Sequence, residues 1–338
     1  MSTKLVRHAL NGATMGTRWS ALFFAAKSFD TAPVRAALQA AVNEVDDQMS
    51  SWNPDSDLMR INRAPAGEWL HAPEQLLAVL RLGLAIGKAS EGAFEVGMGD
   101  AVTAWGFGPH GATGDAIRSA LEARRRPSWE VLEIGEGRLL KREAITLDLN
   151  GIAKGHGVDR LAQTLQGFGL ADFLVGIDGE MRASGLRPDG TPWTIAVEQP
   201  DHDRRAVHSV LALENGAVAT SGDYRHWVEV AGRRLSHTMD PRRGAPLAAS
   251  PASVTVVCES CAAADAWATA LMVLGTDRGR AMARRLGLDA LFLTRRSGGE
   301  LTAWPEGRLF SHPRDARGEE PRARPWLRPL AAYCPFPP

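Results

Sequence analysis

Residues 148–161 read DLNGIAKGHGVDRL, a stretch in which three glycines surround Lys154. The preceding residues 144–149, AITLDL, are predicted to form a β-strand. Apolar residues then recur broadly on one side of a helix, namely Ile152, Val158, Leu161 and Leu165. The sequence therefore predicts a strand that enters a helix through a glycine-rich turn.

Two interpretations of this turn stay open on its residues alone. A glycine-rich turn before a helix presents free backbone N–H groups and the positive end of the helix dipole, which favour an anion. Lys154 would then add a point charge suited to phosphate. Alternatively, Asp148 caps the helix and Lys154 is solvated.

Helices and strands are predicted in irregular order along the rest of the chain. Amphipathic spacing predicts helices at 31–49, from 73 to near 92, around 116–126, and at 262–274 and 277–286. Strands are predicted near 194–198, 207–213, 217–220, 226–230 and 253–258. Because these elements do not form a repeating βαβ array, the predicted fold class is α+β. Residues 311–338 are rich in Pro and Arg and are predicted to form a C-terminal tail.

Composition limits the classes of partner. The 338 residues carry 39 acidic and 39 basic side chains, so a nucleic acid or an anionic membrane is not expected as the main partner. No apolar run approaches the roughly 20 residues that span a bilayer. No signal peptide or lipobox is evident, so a cytoplasmic location is expected. Cys258 and Cys261 lack the further ligands of a zinc site and are interpreted as packed structural residues.

Two further groups of residues could take part in metal binding or catalysis. Asp265 and Thr269 are four residues apart and project from one helix face, where a carboxylate and a hydroxyl suit Mg²⁺. The alternative is that Asp265 is a favourable acid in the first turn of a helix. His237, in the turn-forming segment SHTMDPRRG, is either a general base or a histidine that hydrogen-bonds the turn.

Seven motifs in order resemble the FAD:protein FMN transferase family, called ApbE. They are MGTRWS, SSWNPDSDLMRIN, GAFEV, DLNGIAKGHGVDRL, TSGDYRHW, SHTMDPRRGAPL and AAADAWATALMVLG. The resemblance spans roughly residues 12 to 305 and implies one domain over 1–310. It also implies an α+β fold related to the tunnelling fold, with two lobes around an FAD cleft.

The resemblance implies a reaction and a set of site residues. Family members use Mg²⁺ to cleave FAD, attach FMN through its phosphate to a Thr or Ser hydroxyl of an acceptor protein, and release AMP. His237 would be the catalytic base. The residues implied to contact FAD are Met15, Trp52, Ala93, Phe94, Glu95, Asp148, Lys154 and Met239. Those implied to hold the metal are Gly151, through its carbonyl, Asp265 and Thr269.

Two alternative functions remain open at this stage. An FAD pyrophosphatase would use water in place of the acceptor hydroxyl and produce FMN and AMP. A non-catalytic flavin-binding protein would hold FAD without turnover. Residues 177–180, IDGE, depart from the Gly-Gly-Asp-like turn that is usual in the family. The expected partner is an acceptor flavoprotein with a Thr or Ser flavinylation site.

Overall fold

An eight-stranded sheet, antiparallel throughout, forms the framework of the protein. The structure is a computed structural model, and it describes residues 5–109, 111–201, 204–224, 227–230, 233–296 and 300–310. The strands of the main sheet, in spatial order, are β1 (Leu5–Thr14), β2 (Thr17–Ala26), β6 (Phe173–Ile177), β7 (Glu180–Ser184), β10 (Gly216–Gly222), β15 (Ser253–Cys258), β16 (Asp289–Arg295) and β17 (Leu301–Glu306).

Smaller sheets lie beside the main one. The remaining strands are β3 (Trp69–His71), β4 (Leu132–Gly135), β5 (Arg138–Lys141), β8 (Trp193–Glu198), β9 (Val207–Leu213), β11 (Trp227–Val230), β12 (Arg233–Ser236), β13 (Met239–Asp240) and β14 (Ala245–Pro246). The first three form one sheet, and the others pair as β8–β9, β11–β12 and β13–β14.

Helices cover the sheet and connect its strands. They are α1 (Ala32–Met49), α2 (Asp57–Arg63), α3 (Glu74–Ala89), α4 (Gly99–Ala104), α5 (Gly114–Glu122), α6 (Ser128–Val131), α7 (Ala153–Gly167) and α8 (Cys261–Leu286). Gly275 interrupts α8, with φ of 75° and ψ of 179°. The two helices predicted at 262–274 and 277–286 are therefore confirmed as the two halves of α8.

Strand alternation buries both faces of the main sheet. In β2, Phe23 packs with Leu38 of α1 and Leu161 of α7, whereas the neighbouring Phe24 packs on the opposite face. That second face is covered by the β8–β9 pair, which contributes Trp193. Because successive side chains of a strand point to opposite faces, one strand supplies two cores. A third core lies between α3, α8 and strands β15 and β16.

The strand predicted at 144–149 is wrong. Residues 144–149 run without regular strand pairing, although Leu147 and Leu149 are buried as the apolar pattern requires. Asn62 replaces a neighbouring strand here, because its side chain accepts from Leu147 N at 2.7 Å and donates to Leu147 O at 2.9 Å. Isolated backbone hydrogen bonds, such as that from Asp148 N to Val96 O at 2.8 Å, also attach segment 144–149 to the rest of the protein.

Most other element predictions are confirmed with changes at their ends. The helix predicted around 116–126 ends at Glu122, before Arg126. At the start of α1, the side chain of Asp30, rather than that of Thr31, accepts from the first helical N–H. The hairpin of β1 and β2, which starts the main sheet, had no strand prediction. Burial raises the pKa of the Cys261 thiol well above its usual range, which supports the structural interpretation of Cys261.

The α+β prediction is confirmed at the level of the main sheet and its helices. The two lobes and the relation to the tunnelling fold stay predictions. The tail predicted at 311–338 lies outside the described residues. Within the described part of the chain, no helix is both long and apolar enough to cross a membrane. The cytoplasmic location also stays a prediction.

Candidate active site

The glycine-rich turn brings the first turn of α7 against the first turn of α8. A Cβ on Gly155 would collide with the carbonyl oxygen of Cys261 and would lie 2.8 Å from Cα of Ala262. Real Cβ atoms do not approach other atoms so closely, so only glycine allows this contact. The requirement for glycine at position 155 therefore follows from the packing of the two helices.

Asp265 of α8 lies at the N-terminus of α7. Its carboxylate is buried, and Oδ2 accepts a hydrogen bond from Gly155 N at 3.0 Å. Burial, reinforced by the charge of Glu180, raises the pKa of Asp265 to about 7, although Lys154 and the Gly155 N–H act in the opposite direction. Burial therefore disfavours the charged form of this carboxylate.

Lys154 occupies the first turn of α7 and is paired with acidic residues. Its Nζ lies 2.8 Å from Oε1 of Glu180 and 3.6 Å from Oδ2 of Asp178. Burial alone would lower the pKa of Lys154, but Glu180, Asp265 and Asp178 together raise it above its ordinary value. Lys154 is therefore positively charged at neutral pH, and three carboxylates surround this one ammonium group. The solvated-lysine alternative does not describe this arrangement.

Gly151 and Thr269 are neighbours. A Cβ on Gly151 would lie 3.1 Å from Thr269 Oγ1 and 3.2 Å from the ring of Phe94. The Thr269 hydroxyl is itself 3.2 Å from the hydroxyl oxygen of Ser221 in β10. The fold thus places a hydroxyl of α8 and the turn before α7 side by side, one helical turn after Asp265.

This set of groups fits Mg²⁺ by its chemistry. Asp265, Thr269 and the carbonyl of Gly151 offer only oxygen atoms, which are the ligands that Mg²⁺ prefers. A divalent cation beside Asp265 would favour the charged form of this buried carboxylate. Among the residues that the structure describes, no three His, Cys, Asp or Glu side chains converge as a metal site. A magnesium site here would therefore depend on one carboxylate with hydroxyl and carbonyl oxygens.

Several residues implied to contact FAD lie around the same helices. Met15 has a φ of 45°, and its Cε would be 3.2 Å from a Cβ on Gly157 of α7. Ala93 lines a cavity of about 130 Å³, to which the turn after Met239 contributes Asp240 and α8 contributes Val273 and Leu274. Segments 92–93, 240–242 and α8 therefore line one space, although they are far apart in sequence.

Other implied residues have partners within the chain. The carboxylate of Glu95 accepts from Gly97 N at 2.8 Å and from Ser128 N at 3.1 Å. The carboxylate of Asp148 accepts from the backbone and the side-chain nitrogens of Asn150, at 3.0 and 2.8 Å, and burial raises the pKa of Asp148 to about 6. Asp148 thus closes a turn of the segment before α7 and does not bond the first helical N–H groups.

Trp52 and His237 lie in loops. The Trp52 side chain is 59% exposed, so its ring is accessible to a ligand. The His237 ring lies edge-on to Phe107, with the ring centroids 6.5 Å apart. Met239 packs with Met98 and Val102 of the α4 region. The segment that contains His237 is thus anchored on α4.

Sequence reasoning missed Glu180 as a functional residue. Glu180 is buried at the start of β7, where its carboxylate binds Lys154. The unusual IDGE turn carried a signal, because a buried acid directly after a glycine turn needs a cationic partner. Nothing in the sequence paired that acid with Lys154, 26 residues earlier.

Comparison with known families gives a match over most of the chain. The model of the ApbE family matches residues 15–292. An FAD:protein FMN transferase of Vibrio cholerae is 38% identical over 296 residues, which are 86% of this chain and 88% of the relative. The corresponding protein of Escherichia coli K12 is 30% identical over 302 residues, 87% of this chain and 86% of the relative.

Solved structures show the same likeness. The flavin transferase ApbE from Vibrio cholerae superposes with a TM-score of 0.79 at 33% identity, covering 91% of this chain and 99% of that one. The apo form of the flavinyl transferase ApbE from Pseudomonas stutzeri gives 0.80 at 34% identity, covering 91% and 98%. The resemblance in the seven motifs therefore extends to the whole fold.

Proposed function

The chain belongs to the ApbE family and is an FAD:protein FMN transferase, and we propose that it uses Mg²⁺ to attach FMN to a Thr or Ser hydroxyl of an acceptor protein. AMP leaves in this reaction. The observation that carries the proposal is the position of Asp265, buried at the N-terminus of α7 beside Lys154. A buried carboxylate, a lysine and a helix N-terminus together form a site for a cation and a pyrophosphate.

Gly151, Asp265 and Thr269 would hold the metal. When bound, Mg²⁺ supplies positive charge to the phosphate oxygens and so stabilises the charge that develops during transfer. Asp265 is already fixed by Gly155 N, and Thr269 by Ser221, so both ligands are positioned before the ion arrives. Such preorganisation is what makes electrostatic stabilisation effective.

Lys154 and the first turn of α7 would face the pyrophosphate. The raised pKa of Lys154 keeps its ammonium group charged at neutral pH. Met15, Trp52 and Phe94 would form the apolar walls of the flavin site, with Ala93, Glu95, Asp148 and Met239 completing the contacts to FAD. Of these residues, Ala93 lines the cavity that Asp240 also lines.

His237 would accept the proton of the attacking hydroxyl. The oxygen of the acceptor Thr or Ser forms a bond to the FMN phosphorus as the bond from that phosphorus to the bridging oxygen breaks. The bridging oxygen leaves with AMP, and the hydroxyl proton passes to the imidazole. A general base in this position contributes roughly 100- to 10,000-fold in typical enzymes.

Mass spectrometry of an acceptor tests the proposal. The protein is incubated with FAD, Mg²⁺ and an acceptor carrying an Asp-Gly-x-x-Ala-Thr-like segment. We expect the acceptor to gain one FMN and AMP to appear in equal amount. A matched acceptor with alanine in place of the threonine should gain nothing.

The same experiment separates the alternatives. Free FMN and AMP without an adduct would identify an FAD pyrophosphatase, in which water replaces the hydroxyl. Bound FAD without any turnover would identify a flavin-binding protein and contradict both enzyme functions.

A further inference from the structure

The N-terminus of α8 is capped mainly by a side chain of another helix. Cys261 N and Ala262 N each donate to the carboxylate of Asp159 in α7, both at 2.9 Å. Ala263 N donates to Ser260 Oγ at 3.3 Å, and Ala264 N to Ser260 O at 3.1 Å. Ala264 N makes the first bond within the helix, and the N–H groups of Cys261, Ala262 and Ala263, which a helix leaves without partners of its own, are all satisfied by side chains.

Asp159 is held in place from the sheet. Its side chain is buried, and Oδ1 lies 2.5 Å from Nη1 of Arg182 in β7. Arg182 is two residues after Glu180, so both side chains extend from one face of the strand. Strand β7 thus binds α7 twice, through Glu180 to Lys154 and through Arg182 to Asp159.

A carboxylate of each of the two helices binds backbone N–H groups at the N-terminus of the other. Asp159 of α7 binds the first two N–H groups of α8, while Asp265 of α8 binds Gly155 N in the first turn of α7. Each acid therefore lies at the positive end of the other helix, where a negative charge is favourable. Together with the close approach at Gly155, these bonds fix how far α8 can slide or turn along α7.

We propose that Asp159 is a positioning residue for the metal site, because its carboxylate sets the register of α8 and thereby the place of Asp265 and Thr269. This inference rests on the proposed function, since it concerns the same site. Asp159 lies five residues after Lys154, the residue of α7 that is implied to contact FAD.

Asp159→Asn tests the positioning role of Asp159 most directly. The amide has the same shape, but it offers one oxygen in place of two, and its NH₂ group would face a backbone N–H or Arg182. At least one N–H at the start of α8 would lose its acceptor, and the helix would shift to recover one. Supporting groups around metal ligands typically change metal affinity by roughly 10- to 100-fold when mutated.

Binding of Mn²⁺ in the presence of FAD gives a readout independent of activity. Free Mn²⁺ is followed by electron paramagnetic resonance, at a temperature well below the melting temperature of every variant. We expect Asp159→Asn to weaken Mn²⁺ binding roughly 10- to 100-fold. Raising the Mg²⁺ concentration should restore most of its transfer rate, because the ligands themselves are intact.

Glu306→Gln is the matched control. Glu306 is also a buried acid paired with arginines, but it binds Arg280 and Arg284 in the half of α8 beyond Gly275. We expect this variant to lose stability and to keep the wild-type affinity for Mn²⁺. If both variants lost Mn²⁺ affinity in proportion to their loss of stability, Asp159 would be a stability residue only and the inference would be wrong.

Asp159→Glu covers the case in which the asparagine variant does not fold. It keeps both oxygens and the charge but moves them outward by one methylene, so α8 should be displaced and Mn²⁺ should bind more weakly. Wild-type affinity in a folded variant at position 159 would overturn the inference. Wild-type protein that bound no Mn²⁺ at all would instead contradict the magnesium part of the proposed function.

Discussion

Lys154 illustrates what a single residue gains from the fold. In the sequence it is either a phosphate contact or a solvated side chain. In the structure it is paired with Glu180 at 2.8 Å, which holds the ammonium group beside the first turn of α7. An ion pair does not prevent a lysine from also binding an anion, because the ammonium group has three donors. Glu180 therefore orients the charge that a phosphate would meet.

Asp265→Ala should abolish Mg²⁺-dependent transfer of FMN. The substitution removes the only carboxylate of the proposed metal set, so neither remaining ligand carries a charge. Transfer is measured as FMN bound to the acceptor at increasing Mg²⁺ concentration, with circular dichroism as the check on folding. Asp115→Ala, at an exposed acid of α5, is the control and should transfer normally. Unchanged turnover in Asp265→Ala would refute the metal assignment.

Gly155→Ala should destabilise the protein by about 1–3 kcal/mol, the usual cost of overpacking. The new methyl group would collide with Cys261 O, and neither helix backbone can move without breaking the bonds to Asp159 and Asp265. Urea unfolding measures the loss.

Gly167→Ala in the same helix is its control. Nothing lies within 4 Å of a Cβ at that position, so the alanine should leave stability equal or raise it by up to about 1 kcal/mol. Equal effects of the two substitutions would show that helix propensity, and not the contact with α8, explains Gly155.

At the scale of elements, α8 performs two tasks on either side of Gly275. Its first half contains Asp265 and Thr269 and packs against α7 and β10. Its second half is bound to the last strand of the main sheet, where Glu306 accepts from Arg280 and Arg284. Because Gly275 has a backbone conformation that L-residues rarely adopt, the two halves can take different directions.

Glu306 should make stability depend on pH in the acidic range. Burial would raise the pKa of Glu306, but the hydrogen bonds from Arg284 and Arg280 outweigh burial and lower it. A carboxylate with a lowered folded-state pKa stabilises the protein above its unfolded-state pKa. That contribution is lost as the pH falls through the folded-state pKa.

Glu306→Gln therefore should cost about 1–3 kcal/mol at pH 7 and progressively less below pH 4. Urea unfolding of both proteins between pH 7 and pH 3 gives the difference at each pH. A difference that stayed constant through this range would mean that the charge of Glu306 has no part in its contribution.

At the scale of the whole molecule, the site lies where one face of the main sheet meets two helices. Strands β7 and β10 contribute Glu180 and Ser221, α7 contributes Lys154, and α8 contributes Asp265 and Thr269. A ligand that binds across these elements would join parts of the chain more than 100 residues apart, as Gly155 and Asp265 already are. Binding should therefore be visible as global stabilisation.

FAD with Mg²⁺ should raise the melting temperature more than either does alone. A ligand at 100 times its dissociation constant stabilises the folded state by about 2.7 kcal/mol. The shared site predicts that EDTA removes the extra shift and that Asp265→Ala lacks it, because the ion would contact both Asp265 and the pyrophosphate. Additive shifts in the wild-type protein would instead indicate separate sites.

The motifs and the apolar spacing predicted the α+β fold class and a candidate set of site residues. Apolar spacing located the longer helices and strands β8 to β11 and β15, because local periodicity suffices for these, but it missed β6, β7, β16 and β17. It failed at 144–149, where the alternating pattern is present but Asn62, more than 80 residues away, takes the place of a pairing strand. It also gave no hint of the first hairpin.

The contacts that hold the candidate site together could be found only in the folded protein. The motifs could supply the types of residue at 151, 154, 265 and 269, since the chemical groups of each residue are known from the sequence. They could not show that Lys154 is paired with Glu180, or that Asp159 and Asp265 cap each other's helices. Those partners are separated by 26 to more than 100 residues. The physical reason is that hydrogen bonds and ion pairs depend on distance in space, which the folded chain alone specifies.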